Sequence, residues 1–132
     1  MAWIRIWRHI VFAIKKGAYS VYKEMRSRLC KHIIVNAENK AIWLDTIGGY
    51  YNHFHCLVSS GREQTISKIA QLIKGESSLW LNKYFFNQEK FQWQDDYRAV
   101  GISESNLKHV QKYILNQEND HRKYSFEEET GC

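Results

Sequence analysis

The chain of 132 residues contains no proline, and its three cysteines, Cys30, Cys56 and Cys132, form no Cys-x-x-Cys pair. An odd number of isolated cysteines is typical of reduced thiols and argues against a disulfide framework. Because proline is missing, only glycine, asparagine and serine mark the turns. No linker, repeat or low-complexity tract divides the sequence. The composition therefore predicts a single domain over residues 1–132, long enough to bury roughly two thirds of its unfolded surface.

The sequence also lacks any long hydrophobic run. Its longest clean apolar stretch, residues 10–14, is far shorter than a signal-peptide core or a membrane span, so we expect no membrane partner. Acidic residues are in the minority, with 14 against 19 lysines and arginines and a net charge of +5. This charge favours polyanionic partners. No glycine-rich phosphate loop is present, so we expect no nucleotide cofactor.

The first informative motif is a pair of histidines that flank one phenylalanine, His53-Phe54-His55, in an apparent strand. Side chains alternate between the faces of a strand, so both imidazoles lie on one face with Cα atoms roughly 6.6 Å apart. That spacing allows two ring nitrogens to bind one metal ion. A half-exposed strand also carries two histidines without any function, so the triplet alone leaves both interpretations open. Cys56 faces the other way, which favours a core position over a ligand role.

The second motif lies near the C-terminus, where residues 103–117 have the apolar spacing of a helix with Ser103 as its N-cap. Tyr113 and Gln117 are four residues apart, so they lie one turn apart on the same face. A phenol and a carboxamide are thus presented together. Taken alone, such a pair is usually a tyrosine at the edge of the core and a solvated glutamine, so it gains meaning only together with the histidine motif.

The remaining patterns predict strands at about 4–14, 41–47, 50–59 and 97–102, and helices at about 20–37 and 65–82. Gly48-Gly49 separates the two middle strands and indicates a hairpin turn. With the C-terminal helix, the order is βαββαβα. We therefore expect an α+β fold with an antiparallel sheet, helices on one face and a C-terminal helix that carries the tyrosine.

Five blocks in this order, at residues 9–16, 47–58, 66–81, 91–97 and 112–118, resemble the single-tyrosine HUH transposases of the TnpA type and their REP-associated relatives. The resemblance implies a ferredoxin- or RRM-like core and an enzyme that cleaves and rejoins single-stranded DNA through a covalent 5′-phosphotyrosine intermediate. The chain departs from the family pattern at Tyr51-Asn52, where Pro-Asp is usual, at Asp96, where glycine is usual, and at Val100, where an aromatic residue is common. None of these departures removes a residue expected to do chemistry.

The resemblance implies roles for both motifs. Tyr113 would be the nucleophile, and His53, His55 and Gln117 would bind a divalent metal ion, Mg²⁺ or Mn²⁺. These ligands are neutral, so a bound ion would keep nearly its whole charge to polarise the scissile phosphate. Ligand chemistry alone favours Mn²⁺ or Zn²⁺, because imidazole suits the later metals. A phenol with a pKa near 10 is a poor nucleophile, and His109, one turn before Tyr113, is either an auxiliary base or a solvated helix residue.

The expected partner is single-stranded DNA with hairpins at the element ends. Candidate phosphate contacts are Lys68, Lys74, Ser77, Ser78 and Arg98, because lysine, arginine and serine donors position nucleic-acid backbones. A solvated helix face explains the first four equally well. The family commonly forms homodimers in which the tyrosine helix of one subunit completes the histidine site of the other. The resemblance also implies a prokaryotic cytoplasmic protein that associates with the nucleoid during its action.

Two other functions remain open on the sequence. The first is another HUH endonuclease, a plasmid relaxase or a replication initiator, which would share the nicking step; the Trp93-Gln94 segment and the block at 112–118 disfavour it. The second is a non-catalytic RNA- or DNA-binding module built on the same sheet. In such a module, Tyr113→Phe would leave every activity intact.

Overall fold

A computed structural model describes residues 6–15, 23–50, 52–60, 64–86 and 91–117. The elements are, in chain order, β1 (Ile6–Ile14), α1 (Lys23–Asn39), β2 (Trp43–Gly49), β3 (His53–Ser60), α2 (Ile66–Leu81), β4 (Trp93–Ile102) and α3 (Leu107–Leu115). A π-helical turn (Asn82–Phe86) follows α2, and a 3₁₀ turn (Glu104–Asn106) precedes α3. The predicted βαββαβα order is confirmed, although β4 begins at Trp93 rather than near residue 97.

The four strands form one sheet in the order β2-β3-β1-β4, and every neighbouring pair is antiparallel. The register places Val11 of β1 opposite both His55 of β3 and Arg98 of β4. Side chains at directly opposite positions lie on the same face of a sheet. One face, called the histidine face below, therefore carries His9, His53, His55, Leu57 and Arg98.

The opposite face of the sheet packs against α1 and α2. Helix α2 begins at Ile66 because the Thr65 hydroxyl oxygen accepts a hydrogen bond from the Lys68 backbone N–H at 3.1 Å. The core on this side includes Ile10, Phe12, Leu29, Ile33, Phe54, Cys56, Val58, Ile69 and Ile73. The Cys56 thiol lies in this core, as the strand alternation predicts. Among the helices described, none is long and apolar enough to span a membrane.

Helix α3 covers the histidine face instead. Its apolar side chains Val110 and Ile114 pack on Leu57 of β3, and together they form a second, smaller core. The Gln111 side-chain amide donates a hydrogen bond to Asp45 Oδ1 of β2 at 2.7 Å. The α+β antiparallel fold is confirmed, with the two long helices on one face of the sheet and the tyrosine helix across the other.

Gly48 and Gly49 are strand residues rather than the hairpin turn that the sequence predicts. A side chain at Gly48 would collide with the backbone carbonyl of Ile114 in α3. A side chain at Gly49 would meet the Phe54 ring at 2.7 Å. The turn to β3 comes later, where the Tyr50 N–H donates to the carbonyl of His53 at 2.9 Å. The two glycines thus serve close packing against the neighbouring elements.

Candidate active site

The two histidines of the motif form the floor of the site. His53 and His55 are both buried, and their ring centroids are 5.1 Å apart. The His53 ring is held by a 2.7 Å hydrogen bond between its Nδ1 and Asn52 Oδ1. Because a carboxamide oxygen only accepts, Nδ1 of His53 carries the proton and Nε2 is the nitrogen suited to a metal. Asn52 therefore orients the His53 ring.

A third imidazole, which the sequence does not single out, lies against the second histidine. His9 Nε2 is 2.8 Å from His55 Nδ1, and the two ring centroids are 5.0 Å apart. Burial, together with the positive charge of Arg98, lowers the pKa of His9. His9 therefore stays uncharged to lower pH than an exposed histidine. Strand alternation places His9 on the same face of β1 as Val11, but only the register of β1 on β3 shows that it reaches His55.

Tyr113 stands over this floor in the same chain. Its ring meets the His55 ring edge-on, with centroids 5.6 Å apart and an interplanar angle of 85°. The His9 ring lies 6.0 Å away, again nearly perpendicular. Tyr113 is 42% exposed, so a bound strand can approach it from solvent. The candidate nucleophile and the histidine pair are thus brought together by the packing of α3 on the sheet.

Gln117 follows the end of α3, because the helix ends at Leu115 rather than continuing to residue 117. The one-turn relation to Tyr113 persists, since the Gln117 Nε2 donates to the Tyr113 backbone carbonyl at 3.0 Å. Gln117 is buried. With its amide nitrogen engaged, Oε1 is the atom of this side chain that suits a metal ion.

The donor set fits a divalent ion in its chemistry. Two imidazole nitrogens and a carboxamide oxygen are neutral ligands that leave coordination positions for phosphate oxygens. Within the described ranges there is no group of three histidine, cysteine, aspartate or glutamate side chains that could hold a metal. The predicted set includes only two such residues, so it depends on the amide of Gln117 as the third ligand.

The candidate DNA contacts divide between the two faces of the sheet. Arg98 is exposed on the histidine face and lies close enough to affect the pKa of His9. Lys68 is exposed in the first turn of α2, on the other side of the sheet. Lys74 lies on that side too, where its ammonium group donates to the carbonyls of Gln94 and Asp95 at 2.6 and 2.7 Å. Lys74 therefore ties α2 to β4.

The expectation of a phosphate contact at Ser77 is not met, because this side chain is fully buried. Its hydroxyl donates to the Ile73 carbonyl at 2.6 Å and accepts from Trp93 Nε1 at 2.8 Å. Ser78 is partly exposed, and its hydroxyl donates to the Gly75 carbonyl at 3.1 Å. The i, i+4 spacing of Ile69, Ile73 and Ser77 was the signal that places Ser77 on the buried stripe.

Lys74 and Ser78 line a groove of about 700 Å³ between α2 and β4, on the side of the sheet away from the histidines. Lys15, Gln71 and Tyr97 contribute to the same groove. The candidate auxiliary base, His109, is exposed on α3 one turn before Tyr113. The structure thus places Tyr113 against His55, beside His53 and on the face that carries Arg98, with Gln117 bonded to the Tyr113 backbone. The α2 candidates lie on the other side of the sheet.

Comparison with known proteins finds transposases both among family models and among solved structures. The model of the family described as "Transposase IS200 like" matches residues 3–117. A protein of known structure from Deinococcus radiodurans R1, assigned as a transposase, has a TM-score of 0.68 at 18% identity and covers 86% of this chain and 90% of its own. A REP-associated tyrosine transposase bound to a REP hairpin also has a TM-score of 0.68, at 14% identity, with 92% of this chain and 72% of that chain covered.

A search of curated protein sequences found no match. At these identities the two structural neighbours show the fold alone, a four-stranded antiparallel sheet with the C-terminal helix in place. The family model, by contrast, extends over most of the chain, from the segment before β1 to Gln117 after the tyrosine helix. The chain belongs to the IS200-like transposase family.

Proposed function

We propose that this transposase is a metal-dependent enzyme that cleaves and rejoins single-stranded DNA through a covalent 5′-phosphotyrosine intermediate on Tyr113. One observation carries the proposal: the Tyr113 ring lies edge-on to His55, with centroids 5.6 Å apart, on a face that also holds His53 and Arg98. A tyrosine edge-on to one of two neighbouring buried histidines suits this chemistry, because nucleophile and candidate metal ligands then lie close together. An ordinary core tyrosine would not be 42% exposed at that position.

In the proposed step, the phenol oxygen of Tyr113 forms a bond to the phosphorus, and the bond from phosphorus to the 3′ oxygen of the preceding nucleotide breaks. The phenol gives up its proton and the departing 3′ oxygen takes one up. The products are a 5′ phosphate esterified to Tyr113 and a strand with a 3′-hydroxyl. One phosphodiester has replaced another, so a second 3′-hydroxyl rejoins DNA by the reverse reaction and no nucleotide triphosphate is consumed.

His53 and His55, through Nε2, and Gln117, through Oε1, would hold Mg²⁺ or Mn²⁺. When bound, such an ion supplies charge that polarises the scissile phosphate and favours ionisation of the phenol. Arg98, on the same face, is proposed to position the phosphate backbone near the tyrosine. Exposed His109 is proposed as an auxiliary base for the phenol proton, one turn away on α3.

The proposed substrate is single-stranded DNA that carries a hairpin. The basic net charge of +5 suits a polyanion, and the structural neighbour bound to a REP hairpin supports a hairpin ligand. Lys68 and Ser78, on the helix side, are proposed as secondary backbone contacts. We also propose a homodimer, since β4 is an edge strand whose side chains are mostly exposed.

Cleavage of a hairpin-bearing single-stranded oligonucleotide in Mn²⁺ or Mg²⁺ tests the proposal. Tyr113→Phe and His53→Ala should both reduce cleavage to background while DNA binding persists, and a chelator should do the same. His32→Ala is the matched control, because His32 contacts Glu76 and Trp80 on the helix side and should not affect cleavage. Cleavage by Tyr113→Phe at the wild-type rate would refute the role of Tyr113 as the nucleophile. DNA binding without cleavage by the wild type, even on native flanking sequences, would favour the binding-module alternative.

A further inference from the structure

We propose that His9 is a positioning residue of the metal site: through its hydrogen bond to His55 Nδ1, it fixes the ring orientation and tautomer in which His55 presents Nε2 to the metal ion. This inference rests on the proposed function, since it concerns the same site. It adds a residue that neither histidine motif nor tyrosine helix contains.

The geometry of the contact carries the first step. The distance of 2.8 Å between His9 Nε2 and His55 Nδ1 is that of a full hydrogen bond. His55 is 1% exposed, so water does not compete for its ring. The two rings are tilted by 32°, which is compatible with an in-plane contact between ring nitrogens. The hydrogen bond therefore restrains rotation of the His55 ring.

The parallel with His53 carries the second step. Each of the two predicted ligands has its Nδ1 engaged by a partner on the protein, Asn52 Oδ1 for His53 and His9 Nε2 for His55. Histidine ligands of metals almost always donate their other ring N–H to such a partner, which sets the tautomer and raises the basicity of the ligating nitrogen. When His55 is the donor, the proton sits on Nδ1 and Nε2 is left for the metal. The opposite assignment would protonate Nε2 and block coordination.

The position of His9 in the sheet carries the third step. His9 lies in β1, a central strand that is paired on both sides, and the register sets it opposite Leu57 of β3 and Val100 of β4. A side chain on such a strand is held more rigidly than one on a loop. The Tyr113 ring covers it from above, with centroids 6.0 Å apart. His9 is thus placed firmly enough to position another side chain.

Two substitutions separate positioning from packing. His9→Leu fills much of the same space without a hydrogen-bond acceptor, whereas His9→Gln keeps an acceptor oxygen close to the place of Nε2. Titration of the DNA-free protein with Mn²⁺, followed by electron paramagnetic resonance, gives the metal affinity. His9→Leu should weaken Mn²⁺ binding by about 10- to 100-fold, the usual effect of losing such a partner, and His9→Gln should restore most of it. His32→Leu is the control histidine, and circular dichroism checks the fold of each variant.

A second readout needs no metal. Nitrogen-15 NMR of the histidine rings reports which nitrogen of His55 carries the proton. We expect the Nδ1–H form in the wild type and in His9→Gln, and a mixture or the Nε2–H form in His9→Leu. An Nε2–H tautomer of His55 in the wild type would overturn the inference.

The outcomes distinguish this inference from the proposed function. Suppose that the wild type binds Mn²⁺, that His53→Ala abolishes this binding, and that His9→Leu binds Mn²⁺ as tightly as the wild type. The metal site would then be supported, and the positioning role of His9 would be refuted. Equal losses in His9→Leu and His9→Gln would show packing alone and would also overturn it. A wild type that binds no Mn²⁺ refutes the proposed metal site, and the tautomer measurement then decides the role of His9 by itself.

Discussion

Replacing Gly48 with alanine should move the tyrosine helix away from the histidines. The added Cβ would collide with the carbonyl oxygen of Ile114 and would lie 3.1 Å from the carbonyl carbon of the same residue. Ordinary contacts between such atoms are about 3.5–4.0 Å, so the backbone of α3 must shift by about 1 Å. Ile114 adjoins Tyr113 in sequence, so the proposed nucleophile moves with it. A misplacement of this size costs about 100-fold in rate, and overpacking costs about 1–3 kcal/mol in unfolding free energy.

Single-turnover cleavage rates and urea unfolding measure the two effects of Gly48→Ala. The matched control is Gly75→Ala in α2, where an added Cβ meets nothing within 4 Å. This control should cleave like the wild type and should gain roughly 0.5–1 kcal/mol of stability, because alanine favours a helix over glycine. Wild-type cleavage by Gly48→Ala would refute the reasoning that close packing of α3 on β2 sets the geometry of the site.

Three further changes have defined outcomes. Ser77→Ala should lower the unfolding free energy by about 1–3 kcal/mol, because the buried Trp93 Nε1 loses its hydrogen-bond acceptor. DNA affinity, measured by fluorescence anisotropy, should stay unchanged. Weaker DNA binding would contradict the buried role of Ser77. Burial raises the pKa of the Cys30 thiol to about 11. At mildly alkaline pH, iodoacetamide should therefore label Cys30 slowly in the native protein and rapidly in urea, as measured by mass spectrometry. Fast labelling of the native protein would contradict this prediction. A mixture of Tyr113→Phe and His53→Ala proteins should recover no cleavage if α3 acts on its own chain, as it packs here, and recovery would show that the tyrosine helix is exchanged between subunits.

The parts of the site that follow from local periodicity could be predicted from the sequence. Alternation along a strand is enough to put His53 and His55 on one face and Cys56 on the other. Tyr113 and Gln117 remain one turn apart in the structure although α3 ends at Leu115, because the hydrogen bond from the Gln117 side chain to the Tyr113 carbonyl maintains the turn. The element order is likewise local, and the antiparallel α+β fold followed from it.

The parts that depend on contacts between distant elements could not be predicted. The pairing of His9 with His55 requires the register of β1 on β3, which no local pattern encodes. The role of Gly48 can be recognised only when α3 is known to cross β2. Without that contact, a pair of glycines is typical of a turn. Ser77 is a different case, since its spacing from Ile73 placed it on the apolar stripe and its hydroxyl suggested a surface role.

The covalent intermediate is the most direct test of the proposed chemistry. The purified chain is incubated with Mn²⁺ and hairpin-bearing single-stranded oligonucleotides, and digested peptides are analysed by mass spectrometry for a nucleotide attached to tyrosine. We predict an adduct on Tyr113 through a 5′ phosphate, absent from both Tyr113→Phe and His53→Ala. Cleavage that leaves no tyrosine adduct, or an adduct that persists in His53→Ala, would contradict a histidine-metal site that activates Tyr113.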